Sequence, residues 1–209
     1  MLFDFDGVIV QSEPLHRKTF LDLLRPYQVD VSTERWYREF AGTGSRHIFE
    51  VLVKEHSINE NVDVLVAKRK KNYEEAVQKG ELKQTPGVEK FLALLKRKKI
   101  KTAIVSGSHR TNVQAALKFF NLAEFFDIIV SGDDLEKRKP DPEPFLYAAR
   151  KLGLKPDECI AIEDSFSGAE AVIAAGMKLI ILRSPAKIPR ENAVAVIDNF
   201  ENIDLDNFL

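Results

Sequence analysis

The sequence predicts an α/β protein: a doubly wound parallel sheet core, interrupted after its first strand by an inserted helical domain. Three observations carry this. Beyond Thr85-Pro86-Gly87, short apolar runs alternate with helical patterning across short connections, which is how strand-helix-strand crossovers look in sequence. From Glu13 to about Lys79 the pattern is helical with almost no strand signal. Residues 2–5 are a very short apolar run ending at carboxylates, as an interior strand of a parallel sheet does when it stops at a site.

The elements follow in order. After the first strand come four apolar faces at helical spacing. Phe20, Leu21, Leu23 and Leu24 form one, and Trp36, Tyr37 and Phe40 the next. Ile48, Phe49, Leu52 and Val53 form the third, and Val62, Leu65, Val66 and Tyr73 the fourth. A helix with Val88, Phe91, Leu92 and Leu95 on one face then leads to a strand at 102–105 and the polar turn Ser106-Gly107-Ser108. Helices at 113–120, 142–152 and 167–175 alternate with strands at 127–130, 159–162 and 179–182, and a weaker strand at 194–197 closes one edge. The first strand belongs to this sheet, so the core spans 1–13 and 82–209 and the helical insertion spans 14–81.

Composition narrows the function. A chain of 209 residues buries roughly 70% of its surface on folding, enough for a sizeable core. With 31 basic and 32 acidic residues and a net charge of -1, nothing global attracts nucleic acid or an anionic membrane, and neither is expected as a partner. Cys159, the one cysteine, excludes an intramolecular disulfide and a thiolate zinc site, fits a reducing compartment, and lies in an apolar run that reads as core. No stretch has the 18 or so apolar residues of a membrane span, and Met-Leu-Phe-Asp-Phe-Asp places carboxylates where a signal peptide has basic and apolar residues. The expectation is a cytoplasmic protein.

In doubly wound sheets, ligands bind beyond the carboxyl ends of the strands. The polar residues there form one set: Asp4 and Asp6 after the first strand, Ser106 after the second, Lys139 after the third, and Glu163 with Asp164 after the fourth. Clustered acids with one lysine and one hydroxyl suit Mg²⁺ plus a phosphate, because hard cations take carboxylate oxygen and phosphate takes Lys and backbone N–H donors. The acids repel one another, so a cation belongs to the inference itself.

This ordered set resembles the haloacid dehalogenase superfamily of phosphohydrolases over nearly the whole chain. Asp4-Phe5-Asp6-Gly7-Val8 looks like its first motif, Val105-Ser106-Gly107 its second, Lys139-Pro140 its third and Ile162-Glu163-Asp164-Ser165 its fourth. The insertion is similar to the helical cap of the branch containing β-phosphoglucomutase and small phosphosugar phosphatases, and Ser12-Glu13-Pro14-Leu15-His16 looks like that branch too. The resemblance implies a Rossmann-like core and a Mg²⁺-dependent phosphatase acting on a small phosphorylated metabolite, a sugar phosphate, through an aspartyl-phosphate.

It further implies that Asp4 is the nucleophile, while Asp6 protonates the leaving oxygen and then deprotonates water. Asp4 and Asp164 side chains with the Asp6 carbonyl would hold Mg²⁺, with Glu163 direct or through water. Ser106, Lys139 and the Gly107 N–H would bind phosphoryl oxygens. His16 falls near the active site by the same resemblance, and Arg46 and Lys70 are candidate substrate contacts from the cap. Where the family commonly has Asp before the Ser or Thr of the first loop, this chain has Gln11.

Competing readings are weaker. A β-phosphoglucomutase-type mutase would share every core motif. A phosphoaccepting receiver module also combines acids, a phosphorylated Asp, a hydroxyl and a Lys, but it places its acid pair first and its phosphoacceptor mid-chain and has no such insertion. Asp4-Phe5-Asp6-Gly7 is no calcium loop, since the glycine comes too soon and no bidentate Glu follows at the required distance. Gly42-Thr43-Gly44-Ser45-Arg46 lacks the third glycine of a dinucleotide loop and follows a helix. The run Lys68-Arg69-Lys70-Lys71 reads as a solvated helix face from which Lys70 turns inward.

Overall fold

The computed structural model describes residues 1–209 except Gly42, Lys187, Asn202, Asp206, Asn207 and Leu209. Six strands, β1 Leu2–Phe3, β2 Ala103–Val105, β3 Ile128–Val130, β4 Ile160–Glu163, β5 Lys178–Leu182 and β6 Ala193–Ile197, form one sheet in the order β3-β2-β1-β4-β5-β6. Every pairing is parallel. Strand order reverses between β1 and β4, so a crevice opens beyond their carboxyl ends. Asp4, Glu163 and Asp164 lie at that reversal.

The first strand is shorter than the apolar run suggests. Leu2 and Phe3 pair with Ala103 and Ile104 on one side and with Ala161 and Ile162 on the other. Asp4 N–H still donates to Ile162 O at 3.0 Å, but then Ile9 N–H turns back to Phe5 O at 2.9 Å and Gly7 N–H reaches Val10 O at 2.7 Å. Phe5 is therefore buried in a turn rather than in the ladder. At the other side Glu163 is the last residue of β4, so that strand ends one residue later than the sequence suggests.

The helices are α1 Glu13–Leu24, α2 Thr33–Arg35, α3 Ser45–Glu55, α4 Val62–Gln78, α5 Val88–Arg97, α6 Arg110–Phe119, α7 Glu143–Leu152 and α8 Phe166–Ala174. Alternation along the strands explains why helices cover both faces of the sheet. Leu2, Val105, Ala161, Leu179 and Ile181 share one cluster with Phe145 and Ala149 of α7 and Val172 of α8. Phe3 points the other way, with ring centroids 6.3 Å from Phe91 of α5, 5.9 Å from Phe126 and 6.3 Å from Phe200. Truncating Phe3 to Ala would remove the centre of that layer, at a cost of about 3–5 kcal/mol.

Contacts divide the chain into two compact units, Met1–Gln11 with Lys83–Leu209, and Ser12–Leu82. The seams lie two residues before and one residue after those drawn from the sequence. The helical unit has its own core of Phe20, Trp36, Phe40, Phe49, Leu52 and Leu65, among others. Trp36 sits 5.4 Å from Phe20 and donates from its indole to Glu13 Oε2 at 2.8 Å. The segment Trp36–Phe40 continues α2 as a π-helix, with Ala41 N–H donating to Trp36 O at 2.9 Å. Among the described residues no helix is long and apolar enough to cross a membrane.

Candidate active site

The core unit gathers the predicted polar residues because each follows, or ends, a strand of one parallel sheet. Asp4 is 7% exposed at the end of β1. Gly7, at φ +84°, makes the turn that follows, and a Cβ there would lie 2.0 Å from Asp164 Oδ2. Only glycine lets the turn approach that carboxylate so closely.

Lys139 reaches in from the connection between β3 and α7. Its Nζ donates to Asp4 Oδ1 at 2.7 Å, Val105 O at 2.8 Å and Glu163 Oε1 at 2.5 Å. An ammonium has three donors, so all are engaged. Glu163 is fully buried, and its Oε2 accepts from Asp164 N–H at 3.1 Å, Ser165 N–H at 3.2 Å and Ser165 Oγ at 2.9 Å. A Cβ at position 168 would stand 1.9 Å from Glu163 Cδ, so Gly168 at the start of α8 makes room for this carboxylate. Asp164 is fixed from behind, its carbonyl accepting from Ser184 Oγ at 2.5 Å.

Asp4, Glu163 and Asp164 each offer a carboxylate oxygen, all within 4.8 Å of one another. Burial, then the Glu163 charge, pushes the Asp4 carboxyl up to about 7 despite the opposing pull of Lys139. Burial and then Asp4 push Asp164 well above the ordinary carboxylate range. Burial alone would lower Lys139, but the Asp4 and Glu163 charges outweigh it and hold the ammonium above its usual value. One lysine is too little countercharge for two buried acids and a partly buried third. A hard divalent cation fits this all-oxygen donor set.

The Asp6 side chain points to the turn that follows β2. Its Oδ2 accepts from Ser108 Oγ at 2.5 Å, while Ser106 Oγ stands 3.5 Å away, at the edge of hydrogen-bonding range. Ser106 is 6% exposed and accepts from Ser108 N–H at 2.9 Å, which tightens the turn through Gly107. Gly107 is exposed, with nothing near the position of a Cβ. Ser108 is absent from the sequence-based site. A hydroxyl in a polar turn has no periodicity to single it out.

The candidates in the helical unit stand differently. Arg46 is exposed and paired with Asp63, and lies 4.0 Å from Glu50. Gly42, of the loop before it, lies outside the described residues. Lys70 is exposed, and the buried member of its basic run is Arg69 at 7% exposure. Arg69 lies over the rings of Phe20 and Tyr73 at 4.9 Å each and bonds to Thr19 Oγ1, Ser45 Oγ and His16 Nδ1. Arginine cannot accept, so that ring nitrogen is the acceptor. His16 stacks on Tyr73 at 4.6 Å. Helical phase could have identified Arg69, since it falls four residues after buried Leu65 and four before buried Tyr73.

The sequence model of the haloacid dehalogenase-like hydrolases matches residues 1–182. The chain belongs to that family. A phosphorylated carbohydrates phosphatase of Thermotoga maritima is 31% identical over 180 residues, covering 86% of this chain and 82% of its own. Hexitol phosphatase B of Escherichia coli is 30% identical over 189 residues, 88% of this chain and 83% of its own. The crystal structure of CbbY from Rhodobacter sphaeroides in complex with phosphate superposes with a TM-score of 0.85 at 25% identity, over 99% of this chain and 96% of that one. This haloacid dehalogenase-like hydrolase is a phosphoric monoester hydrolase with the Rossmann-like core of its family.

Proposed function

We propose that this hydrolase is a Mg²⁺-dependent phosphatase of a small phosphorylated metabolite, a sugar-type phosphate, working through an aspartyl-phosphate on Asp4. The observation that carries the reading is the division of labour between two acids two residues apart. Asp4 lies buried on Lys139 inside the acidic cluster, whereas the Asp6 carboxylate lies outside it and is held by Ser108. The sugar-type substrate is supported by the relatives in Thermotoga maritima and Escherichia coli, which act on phosphorylated carbohydrates and hexitol phosphate by name.

Asp4 and Asp164, with the Asp6 carbonyl, would hold the cation. When bound, Mg²⁺ neutralises charge on the acids and on the phosphoryl oxygens, so that a carboxylate is a sufficient nucleophile. The Asp4 carboxylate forms a bond to phosphorus as the bond to the sugar oxygen breaks, and Asp6 delivers its proton to that oxygen. Ser106 and the Gly107 N–H hold the transferring oxygens, and Lys139, fixed beside Asp4, supplies positive charge to them. A water then attacks phosphorus, Asp6 takes its proton, and the bond to Asp4 breaks to release phosphate. Glu163 anchors Lys139, and its place among the three carboxylates would let it reach the cation directly or through water.

A phosphate-release screen over sugar phosphates and other phosphomonoesters, with Mg²⁺ and with chelator, tests this. Release from sugar phosphates that requires Mg²⁺ and is absent in Asp4→Asn is expected; equal release in excess chelator would overturn the reading. Given β-glucose 1-phosphate and a catalytic amount of the 1,6-bisphosphate, the protein should liberate phosphate. Rapid isomerisation to glucose 6-phosphate with little release would identify a mutase instead.

A further inference from the structure

We propose that Ser108 is a positioning residue, holding the Asp6 carboxylate in the orientation from which it exchanges protons. This rests on the proposed role of Asp6 as acid and base. Ser108 Oγ donates to Asp6 Oδ2 at 2.5 Å, a well-formed bond to a carboxylate oxygen. Ser106 reaches the same oxygen only at 3.5 Å. The hydroxyl that fixes Asp6 is therefore the second serine of the turn, not the one that follows the strand.

Ser108 is itself held on several sides, as a positioning group must be. Its N–H donates to Ser106 Oγ at 2.9 Å and its carbonyl accepts from Gly132 N–H at 2.9 Å. Gly132 can come this close because it lacks a side chain; a Cβ there would lie 2.2 Å from Gly107 O. Immediately downstream, Asp133 accepts from His109 Nδ1 at 2.6 Å and Arg110 N–H at 2.8 Å, fastening the start of α6 to the loop after β3. The turn is thus tied to neighbouring backbone by bonds that do not involve substrate.

Two consequences follow for Asp6. An aspartate on a turn can rotate about both side-chain torsions, and a bond to one oxygen fixes the carboxylate plane and so the direction of the other. A hydroxyl that donates to Oδ2 also directs a bound proton to Oδ1. Proton transfer is sensitive to misplacement of this kind, so loss of the bond should be felt in the chemical step rather than in substrate binding.

The test compares two esters by kcat/KM, which covers steps only through departure of the leaving group. An alkyl phosphate such as a sugar phosphate needs its leaving oxygen protonated, whereas p-nitrophenyl phosphate leaves as a stable anion. Ser108→Ala should lower kcat/KM for the sugar phosphate about 10- to 100-fold and for p-nitrophenyl phosphate about threefold or less, the former being the size of a lost bond to a charged group. Ser108→Thr, which keeps the hydroxyl, should restore most of the loss. Asp6→Asn should show the same leaving-group discrimination, more strongly. Equal losses on both esters in Ser108→Ala, or no rescue by Thr, would overturn the proposal while discrimination in Asp6→Asn leaves the role of Asp6 standing. Absence of discrimination in Asp6→Asn would remove that role and the proposal with it.

Discussion

Lys139 Nζ stands 2.5 Å from Glu163 Oε1, and the Glu163 side chain has no exposure to solvent. The pair joins the connection after β3 to the end of β4, and through Lys139 it also holds Asp4. A buried ion pair of this kind adds little net stability, yet breaking it by removing one partner is costly.

Lys139→Met should therefore destabilise the metal-free protein by about 3–5 kcal/mol, because Asp4 and Glu163 stay buried without a countercharge. Glu163→Gln should also destabilise it. In the double variant the losses should fall short of their sum by about 1–3 kcal/mol, as expected for groups in contact. Urea unfolding of the four proteins measures this, and simple additivity would mean the pair is not coupled.

Replacing the two acids should have unequal effects. Asp4→Asn removes the nucleophile and should abolish phosphate release, whereas Asp6→Asn removes a proton carrier and should reduce turnover by about 10² to 10⁴. Steady-state rates with Mg²⁺ decide it. Substantial turnover by Asp4→Asn, with mass spectrometry excluding deamidation, would remove the covalent route.

The parts legible in the sequence were those that repeat or that a strand ends upon. Asp4, Ser106 and Glu163 could be picked out because the apolar runs before them locate the carboxyl edge of the sheet, whereas Lys139, in a charged run well beyond β3, was singled out by Pro140 beside it in the family motif. The length of the first strand misled, because Phe5 is as apolar as Phe3 although the chain has already turned. Arg69 was hidden inside a run of four basic residues, where composition suggests a solvated face and only the phase set by Leu65 and Tyr73 tells which one is buried. Ser108 had no such phase. Its contact with Asp6 joins residues 102 positions apart and depends on how the turn folds.

Stability should depend on pH in a way that Mg²⁺ reverses. The Asp4 carboxyl is held at about 7 in the folded protein against an ordinary value of 3.8, by burial first and then by Glu163. Its folded value is the higher one, so the folded state binds the proton more tightly. The stability this confers is present below the ordinary value and lost as pH rises through about 7, and Asp164 is displaced in the same direction. The metal-free protein should thus lose stability between about pH 4 and pH 7, and the increase in Tm on adding Mg²⁺ should grow over that range. A Mg²⁺ effect that is flat or shrinks with pH would count against the acidic cluster as the cation site.

Gly7→Ala should damage the site more than the fold around it. The new Cβ would need the space of the Asp164 carboxylate, 2.0 Å away, at a backbone φ of +84° that side chains disfavour. The backbone strain costs about 1–2 kcal/mol, and displacement of Asp164 should raise the Mg²⁺ concentration needed for half-maximal activity by about 10-fold or more. Titrating activity with Mg²⁺ checks this; an unchanged requirement would mean that Asp164 does not bind the cation.

The central claim, that the phosphoryl group passes through the protein on its way to water, is tested most directly by the stereochemical course at phosphorus. A substrate carrying an isotopically chiral phosphoryl group is hydrolysed in isotopically distinct water, and the configuration of the released phosphate is read. Transfer to Asp4 and then to water inverts the centre twice, so the account predicts overall retention. Inversion would mean that water attacks the substrate directly, and would contradict it.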